Sequence, residues 1–484
     1  MLSRKEGIED CSYRVWADLK SVAMPRPVSP ALIFALFAGL AAFVLAAFSP
    51  GVLNDSDTYW HIRAGEWMLA HHQVLRADPF SYTAAGNAWH TQEWLAQVVM
   101  ALSWRGGWPG MHLMVAVAAA LTAGITAHAV RRRTDFITAL VVVVLGLACV
   151  TGSLLARPHI LSLPLLALWT AVLVTAREND RAPPYWLIAV IPLWANLHGS
   201  FAFGLALAGA LAVEAVLQSP TRVKAALSWG VFLVLACASA MLTPFGFETL
   251  TFPFKLSGMQ SLAHIGEWQA TDFSTLSPFA IALLAGLYVF GSGKITVSPM
   301  RLLLIVGLVA VALMHSRHQM LLGIVVPMLL APSLAKFAPA REEKAQPMLA
   351  VLAIILLAVA GVSRLMVPAP RGDDPVTPAS ALAHVPRFVR EMPVLNDYAF
   401  GGYLIWSGVK PFVDSRADLY GDIFLRNYAV MMSPDKDVLA STMAFHHVRW
   451  TIFPREAAVV RLLDAMPGWR RHYADKLAVV HVRN

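Results

Sequence analysis

Eleven apolar stretches constrain this chain more than anything else in it, at 31–49, 109–130, 136–155, 159–176, 184–196, 201–218, 226–243, 277–291, 302–316, 319–335 and 347–367. A helix crosses a bilayer with about 20 mostly apolar residues, and fewer suffice where its flanks are anchored. Lipid offers backbone amides no partner, so such stretches must be helical. Only 14% of the residues are charged, against about 25% in soluble proteins. The chain therefore reads as an α-helical polytopic membrane protein of about eleven transmembrane helices.

The formal charge of +8 reports topology and not a nucleic-acid partner, because Lys and Arg collect in cytoplasmic loops. With the N-terminus cytoplasmic, the cytoplasmic segments carry Arg4, Lys5, Arg14, Lys20 and Arg26, then Arg131–Arg133, then Arg177 and Arg181. Arg222 with Lys224, Lys294 with Arg301, and Lys336, Arg341 and Lys344 complete the set. All six segments are basic, whereas the opposite loops are rich in Trp, Pro and His and sparse in Lys. The first 30 residues carry Glu6, Glu9, Asp10 and Asp18 and no small-x-small cleavage site, so an uncleaved first helix behind a cytoplasmic arm is expected. Cys11, Cys149 and Cys237 lack metal-ligand spacing and imply no disulfide framework.

Three parts follow: an arm at 1–30, a membrane domain at 31–367 with a long first outer loop at 50–108, and an extracytoplasmic tail at 368–484. The tail opens with the Pro-rich VPAPRGDDPVTPAS. Short β-like runs (PVLNDY, KPFVDS, VRWTIFP, KLAVVHV) then alternate with helical patterns (SALAHVPRFVREM, DIFLRNYAVMM, EAAVVRLLDAM), which predicts a small α/β domain.

This topology gathers the polar residues on one side. The first outer loop carries Asp55, Asp57, His61, Glu93 and Asp78. Later junctions bring Arg157 and His159 in LLARPHI, Asn196 and His198 in WANLHGS, Glu267 in HIGEWQATDF, and Arg317 and His318 in HSRHQ. Ionisable residues near hydrocarbon are costly and mark functional sites by default. Singly, each has a plainer reading: an interfacial Arg or His as an anchor, Trp60, Trp67, Trp89 and Trp94 as an aromatic belt, Asp55 or Asp57 as the N-cap of a helix over TYWHIRAGEWMLAHH. Their clustering on one face favours an outward polar cavity. Carboxylates beside arginines suit group transfer with an anionic leaving group: an aspartate takes the acceptor proton and arginines neutralise a departing phosphate. The Asp55-Ser56-Asp57 pair is also a donor set for a divalent cation such as Mg2+ or Mn2+, with His as an extra ligand.

The chain resembles the GT-C superfamily, multi-spanning glycosyltransferases that use polyprenyl-phosphate-linked sugars and place catalytic acidic residues in the first outer loop. Asp55-Ser56-Asp57 matches that position, and TYWHIRAGEWMLAHH and TQEWLAQVVMALSW match the amphipathic segments that follow it on the membrane. DTYWHIRAGEWM and the tail's NDYAFGGYLIWSGVKPFVDSRADLYGD resemble bacterial GT-C-like proteins. The tail has Asn396-Asp397-Tyr398 where oligosaccharyltransferases carry a double-Trp signature, and Asp55-Ser56-Asp57 is not the Asp-Glu pair of protein mannosyltransferases. The resemblance implies inverting transfer from a lipid-linked donor to an extracytoplasmic acceptor at the cytoplasmic membrane, the membrane lipids being the third partner. It implies Asp57 as base with Asp55 sharing the role or holding metal, Arg157, Arg317, His159, His198 and His318 around the lipid phosphate, and Glu267 as a metal or acceptor contact. His61, Asn196, Asp397 and Tyr398 complete the expected binding residues. From the residues alone, Asp397, Asp414, Arg416 and Asp418 either cap the cavity or bind acceptor, or these stretches are ordinary turns with Gly401-Gly402 and Asp414 as turn formers. A flippase for a lipid-linked saccharide and a non-catalytic envelope-assembly scaffold are the other readings. Transport calls for polar positions near the membrane midplane, whereas these lie at the helix ends.

Overall fold

A computed structural model describes residues 28–264, 266–344, 346–433 and 435–484; most of the arm, with Cys11, lies outside these. The chain is a multi-pass membrane protein whose helices fall where hydropathy puts them. They are α1 (Pro30–Phe48), α4 (Gly107–Arg131), α5 (Phe136–Ala148), α6 (His159–Glu178), α7 (Val190–Leu197), α8 (Phe201–Gln218) and α9 (Arg222–Ser239), followed by α11 (Pro278–Gly291), α12 (Pro299–Met314), α13 (Gln319–Phe337) and α14 (Pro347–Met366). A 3-10 turn at Tyr185–Ala189 lengthens α7. Seven are long and apolar enough to cross a membrane outright; 136–148, 185–197, 278–291 and 299–314 are shorter apolar helices. Between α1 and α4 lie α2 (Asp57–His71) and α3 (Trp94–Trp104), and α10 (Glu248–Ser257) follows α9.

Small residues allow the helices to meet closely, as expected where lipid provides no hydrophobic drive. Gly39 of α1 faces the Ala120 carbonyl of α4, and Gly146 of α5 and Gly323 of α13 each lie against the other's carbonyl oxygen. One end of the bundle is basic but internally paired. Arg131 meets Glu343 at 2.5 Å, Arg133 is ion-paired with Glu178, and Glu214, 1% exposed, holds Arg301 at 3.1 Å and Arg177 at 3.6 Å.

The run at 136–155 is not one helix. It stops at Ala148, and 149–158 leaves the membrane helix so that Ala156 can donate to Val52 O at 2.8 Å and accept from Thr58 Oγ1 at 2.9 Å. Those bonds tie the turn before Arg157 to the segments on either side of Asp55 and Asp57.

The tail is an α/β unit. After α15 (Ala379–His384) and α16 (Arg387–Arg390) come β1 (Val394–Asn396), α17 (Gly401–Trp406), α18 (Ala417–Met432), α19 (Lys436–Phe445), β2 (Trp450–Pro454), α20 (Ala458–Asp464), β3 (Trp469–Ala474) and β4 (Ala478–Arg483). The sheet order is β1-β2-β4-β3, with β1 parallel to β2 and the other pairs antiparallel. Period-two alternation gives the sheet two apolar faces. Val394, Trp450, Ile452 and Val480 meet α15–α17, while Leu395, Phe453 and Val479 meet α18–α20. The second core also contains Trp60, Ala64, Met68 and Trp89, so the first loop and the tail bury one hydrophobic cluster together. KPFVDS is not a strand. Asn396 takes its place in the ladder, its Oδ1 accepting from Phe412 N and its Nδ2 donating to Val413 O, both at 2.8 Å. SALAHVPRFVREM is split at Pro386 into two short helices, and β3 has no counterpart among the β-like runs of the sequence.

Candidate active site

The first turn of α2 carries the site. Its N-cap is Ser56, whose side chain makes no capping bond to the helix backbone, so neither aspartate is the N-cap. Asp55 Oδ1 instead accepts from Asp57 N at 2.7 Å, which turns the chain sharply and directs both carboxylates one way. Asp57 is 5% exposed. Its Oδ1 lies 3.4 Å from Trp60 Nε1 and from Ser56 Oγ, and its Oδ2 is paired with Arg157 Nη2.

Arg157 is the hub. Its Nη1 lies 2.7 Å from Glu267 Oε2 and 3.4 Å from Asp55 Oδ2, so one guanidinium joins three carboxylates from two segments distant in sequence. Arg317 Nη1 takes the other oxygen of Glu267 at 3.1 Å, and the Arg317 Cζ lies 4.4 Å from the centre of the Trp268 ring. Glu267 is fixed from behind: Ser316 N donates to Gln269 O at 3.1 Å, Thr271 N to Leu313 O at 3.0 Å, and His315 Nδ1 lies 2.6 Å from Trp268 O.

Burial raises the Asp55 carboxyl to about 7, against the pull of Arg157 and with the help of Asp57. For Glu267 burial pushes the same way, but Arg157 and Arg317 outweigh it and hold its carboxyl below the ordinary value. Burial opposes the charge on Arg157, yet Asp55, Asp57 and Glu267 keep it protonated more firmly than a free guanidinium.

A second group adjoins the first. Glu93, at the start of α3, lies 3.4 Å from His198 Nε2 and 3.9 Å from His61 Nε2. His198 Nδ1 accepts from Ser200 N at 3.1 Å, which leaves its proton on Nε2, pointing at Glu93. Burial raises the Glu93 carboxyl to about 8, Arg157 opposing and Asp418 adding to the shift. His61, 2% exposed, is kept neutral by burial and by Arg157, with Gln97 Nε2 at 3.3 Å from its Nδ1. Glu93 is a site residue that motif reading passes over. The only signal was its place in the polar inventory of the first loop.

The other expected residues divide. His159 packs 6.2 Å from His198, ring to ring, with Nε2 on Ser153 O at 2.7 Å. His318 flanks Trp268 at 6.3 Å beside Arg317. Asn196 is fully engaged as a brace: Oδ1 accepts from Trp94 Nε1 at 2.6 Å, and Nδ2 donates to Pro192 O and Leu242 O. Asp397 caps the turn at Tyr398–Phe400 by accepting from Ala399 N at 2.9 Å. The buried Tyr398 hydroxyl finds no partner among the described residues, and burial, with the charge of Asp57 beside it, pushes that hydroxyl up.

Two expectations are corrected. Trp60, Trp89 and Trp94 form no aromatic belt: Trp60 and Trp89 are 6% and 4% exposed, and their indoles donate to Ser415 Oγ and Asp418 Oδ2, while Trp94 donates to Asn196. Asp414 and Arg416 do not line the cavity. Both are fully buried, with Arg416 between Asp414 at 2.7 Å and Asp78 at 2.6 Å, a clasp joining tail to first loop. Asp418 does reach the site region, its carboxyl raised by burial to about 6.

A hard divalent cation takes six or more oxygens at about 2.0–2.6 Å. Here the space between Asp55, Asp57 and Glu267 is filled by the Arg157 guanidinium, and among the described residues no group of three His, Cys, Asp or Glu side chains converges as a metal cage. The donor set as arranged does not fit a metal.

No protein-family model matches this chain, and no curated protein matches it by sequence. Among solved structures, the archaeal oligosaccharyltransferase AglB from Archaeoglobus fulgidus, in complex with an inhibitory peptide and a dolichol-phosphate, superposes with a TM-score of 0.53. The match covers 87% of this chain and 69% of that one at 10% identity. What the two chains share is a fold.

Proposed function

We propose that this protein is a membrane glycosyltransferase that moves a sugar from a polyprenyl-phosphate-linked donor to an extracytoplasmic acceptor by inverting displacement. The observation that carries the reading is the convergence of Asp55 and Asp57 with Arg157, Glu267 and Arg317 at one end of a frame shared with an oligosaccharyltransferase. The basic end, by the positive-inside rule, faces the cytoplasm, and the carboxylates then face outward. That the neighbour holds a dolichol-phosphate supports a lipid-linked donor here as well. The acceptor oxygen attacks the anomeric carbon, whose bond to the phosphate oxygen breaks with the electron pair leaving on the polyprenyl phosphate. The acceptor proton passes to Asp57. Arg157 and Arg317 stabilise the departing phosphate, and bilayer lipid surrounds its isoprenoid tail.

The test is mass spectrometry of polyprenyl-phosphate sugars in cells lacking the protein, complemented with wild type or with Asp57→Asn. A glycolipid that accumulates in the deletion, clears with wild type and persists with the variant is expected. Loss of a general base typically costs about 10²–10⁴-fold in rate. Unchanged lipid pools, or full rescue by Asp57→Asn, would overturn the reading in favour of transport or scaffolding.

A further inference from the structure

We propose that Arg157 is the resident cation of this site, a guanidinium standing where three carboxylates would otherwise hold a divalent metal, so that the transfer proposed above proceeds without one. The participation in transfer rests on that proposal; the occupancy of the site does not.

Three observations support it. The first is geometric: Asp55, Asp57 and Glu267 each direct an oxygen at one of two terminal nitrogens of the same side chain. A guanidinium is planar, permanently charged and rich in donors, which suits it to bridge several carboxylates, whereas a lysine ammonium serves as a point charge. The second is anchorage. Arg157 cannot swing aside with a loose loop, because Ala156 is bonded on its N–H side to Val52 and on its C=O side to Thr58, one residue beyond Asp57. Arg157 is therefore built into the same knot as the carboxylates it joins. The third is charge. Arg157 and Arg317 set two positive charges against the three carboxylates, and Arg317 already takes the second oxygen of Glu267. A divalent ion entering this space would lie beside two guanidiniums and compete for oxygens already bonded.

The arrangement gives the arginine two roles. It holds Asp57 and Glu267 in position before any ligand arrives, and it supplies positive charge beside the bond that breaks. A fixed side chain does this without dependence on the local metal concentration.

The experiment is a titration of full-length, chelator-washed protein in detergent with Mn2+, followed by electron paramagnetic resonance. Wild type is expected to bind no Mn2+ that Glu267→Gln removes. Arg157→Met keeps the length and apolar stem of the side chain, frees the three carboxylates and is expected to gain one Mn2+ per chain. Adding Glu267→Gln to that variant should abolish the gain. A wild-type protein that binds one Mn2+ through Glu267 would overturn the proposal, and so would a folded Arg157→Met that gains none. If Arg157→Met fails to fold, the wild-type titration still decides. Because the readout is metal binding, a protein that proves to transfer no sugar leaves this result standing, and the failure of either reading is recognisable on its own.

Discussion

Glu93 carries a proton at neutral pH because its surroundings deny it charge. Burial raises its carboxyl to about 8, and Asp418 adds to the shift against the pull of Arg157. The His198 Nε2–H, 3.4 Å away, points at a carboxyl that is largely neutral at pH 7. The consequence for stability has a definite sign. Below about pH 4.5 the group is protonated in folded and unfolded chains alike. As pH rises towards 8 the unfolded chain loses the proton while the folded one keeps it, so folding loses free energy across that window. Asp55, raised to about 7, adds a second loss of the same sign. Glu267 works oppositely: its lowered carboxyl stabilises the fold at neutral pH and gives that up in acid. Scanning fluorimetry of the purified protein should therefore show the melting temperature falling from pH 5 to pH 9. Glu93→Gln, which cannot ionise, should lose several degrees less than wild type over that range. Parallel curves for the two proteins would mean that Glu93 is not the buried acid described here.

At the scale of elements, α2 is the piece on which everything bears. From Asp57 to Ile62 every residue is buried, and a surface-lying amphipathic helix would not be. Gly65 lets α3 approach, since a Cβ there would collide with the Gln97 carbonyl. Gly402 of α17 does the same from the tail, where a Cβ would collide with the carbonyl of Ser56, the residue between the two aspartates. The tail thus positions the first turn of α2 through a backbone contact. Gly402→Val should push that turn aside and cut transfer by about 100-fold, the order expected when catalytic groups shift by about 1 Å. The membrane bundle should still fold, as judged by size-exclusion profile, and Gly209→Val, which meets open space, should keep activity. Equal activity in the two variants would remove the tail from the site. The sequence makes one half of this legible. Asp55, Asp57, Arg157, Glu267 and Arg317 stand out because charge beside an apolar run is expensive whatever surrounds it. The Gly402–Ser56 contact, the Trp60–Ser415 bond and the Arg416 clasp join residues more than 300 positions apart. Each looks like an ordinary turn former or interfacial aromatic until the chain is folded, so hydropathy has nothing to report about them.

On the scale of the whole molecule, the two ends of the bundle use charge differently. At one end the arginines are partnered by Glu343, Glu178 and Glu214, carboxylates of membrane helices or of the loops beside them, so the basic loops are braced internally. At the other, the carboxylates of Asp55, Asp57 and Glu267 outnumber the arginines that join them. A bilayer inserts such a molecule one way round, because short loops dense in Lys and Arg stay on the cytoplasmic side. Two positions report the outcome. Glu342 is exposed in the loop after α13, at the basic end, and Lys436 is exposed at the start of α19 in the tail. In a background with Cys11, Cys149 and Cys237 replaced by Ser, a membrane-impermeant maleimide should label Lys436→Cys in intact spheroplasts. It should reach Glu342→Cys only after lysis. The reverse pattern would turn the carboxylates towards the cytoplasm and remove the physical reason for a lipid carrier, since sugar nucleotides are at hand there. Labelling of both positions in intact spheroplasts would break the alternation of the helices itself, and with it the shared membrane level on which Arg157 meets Glu267.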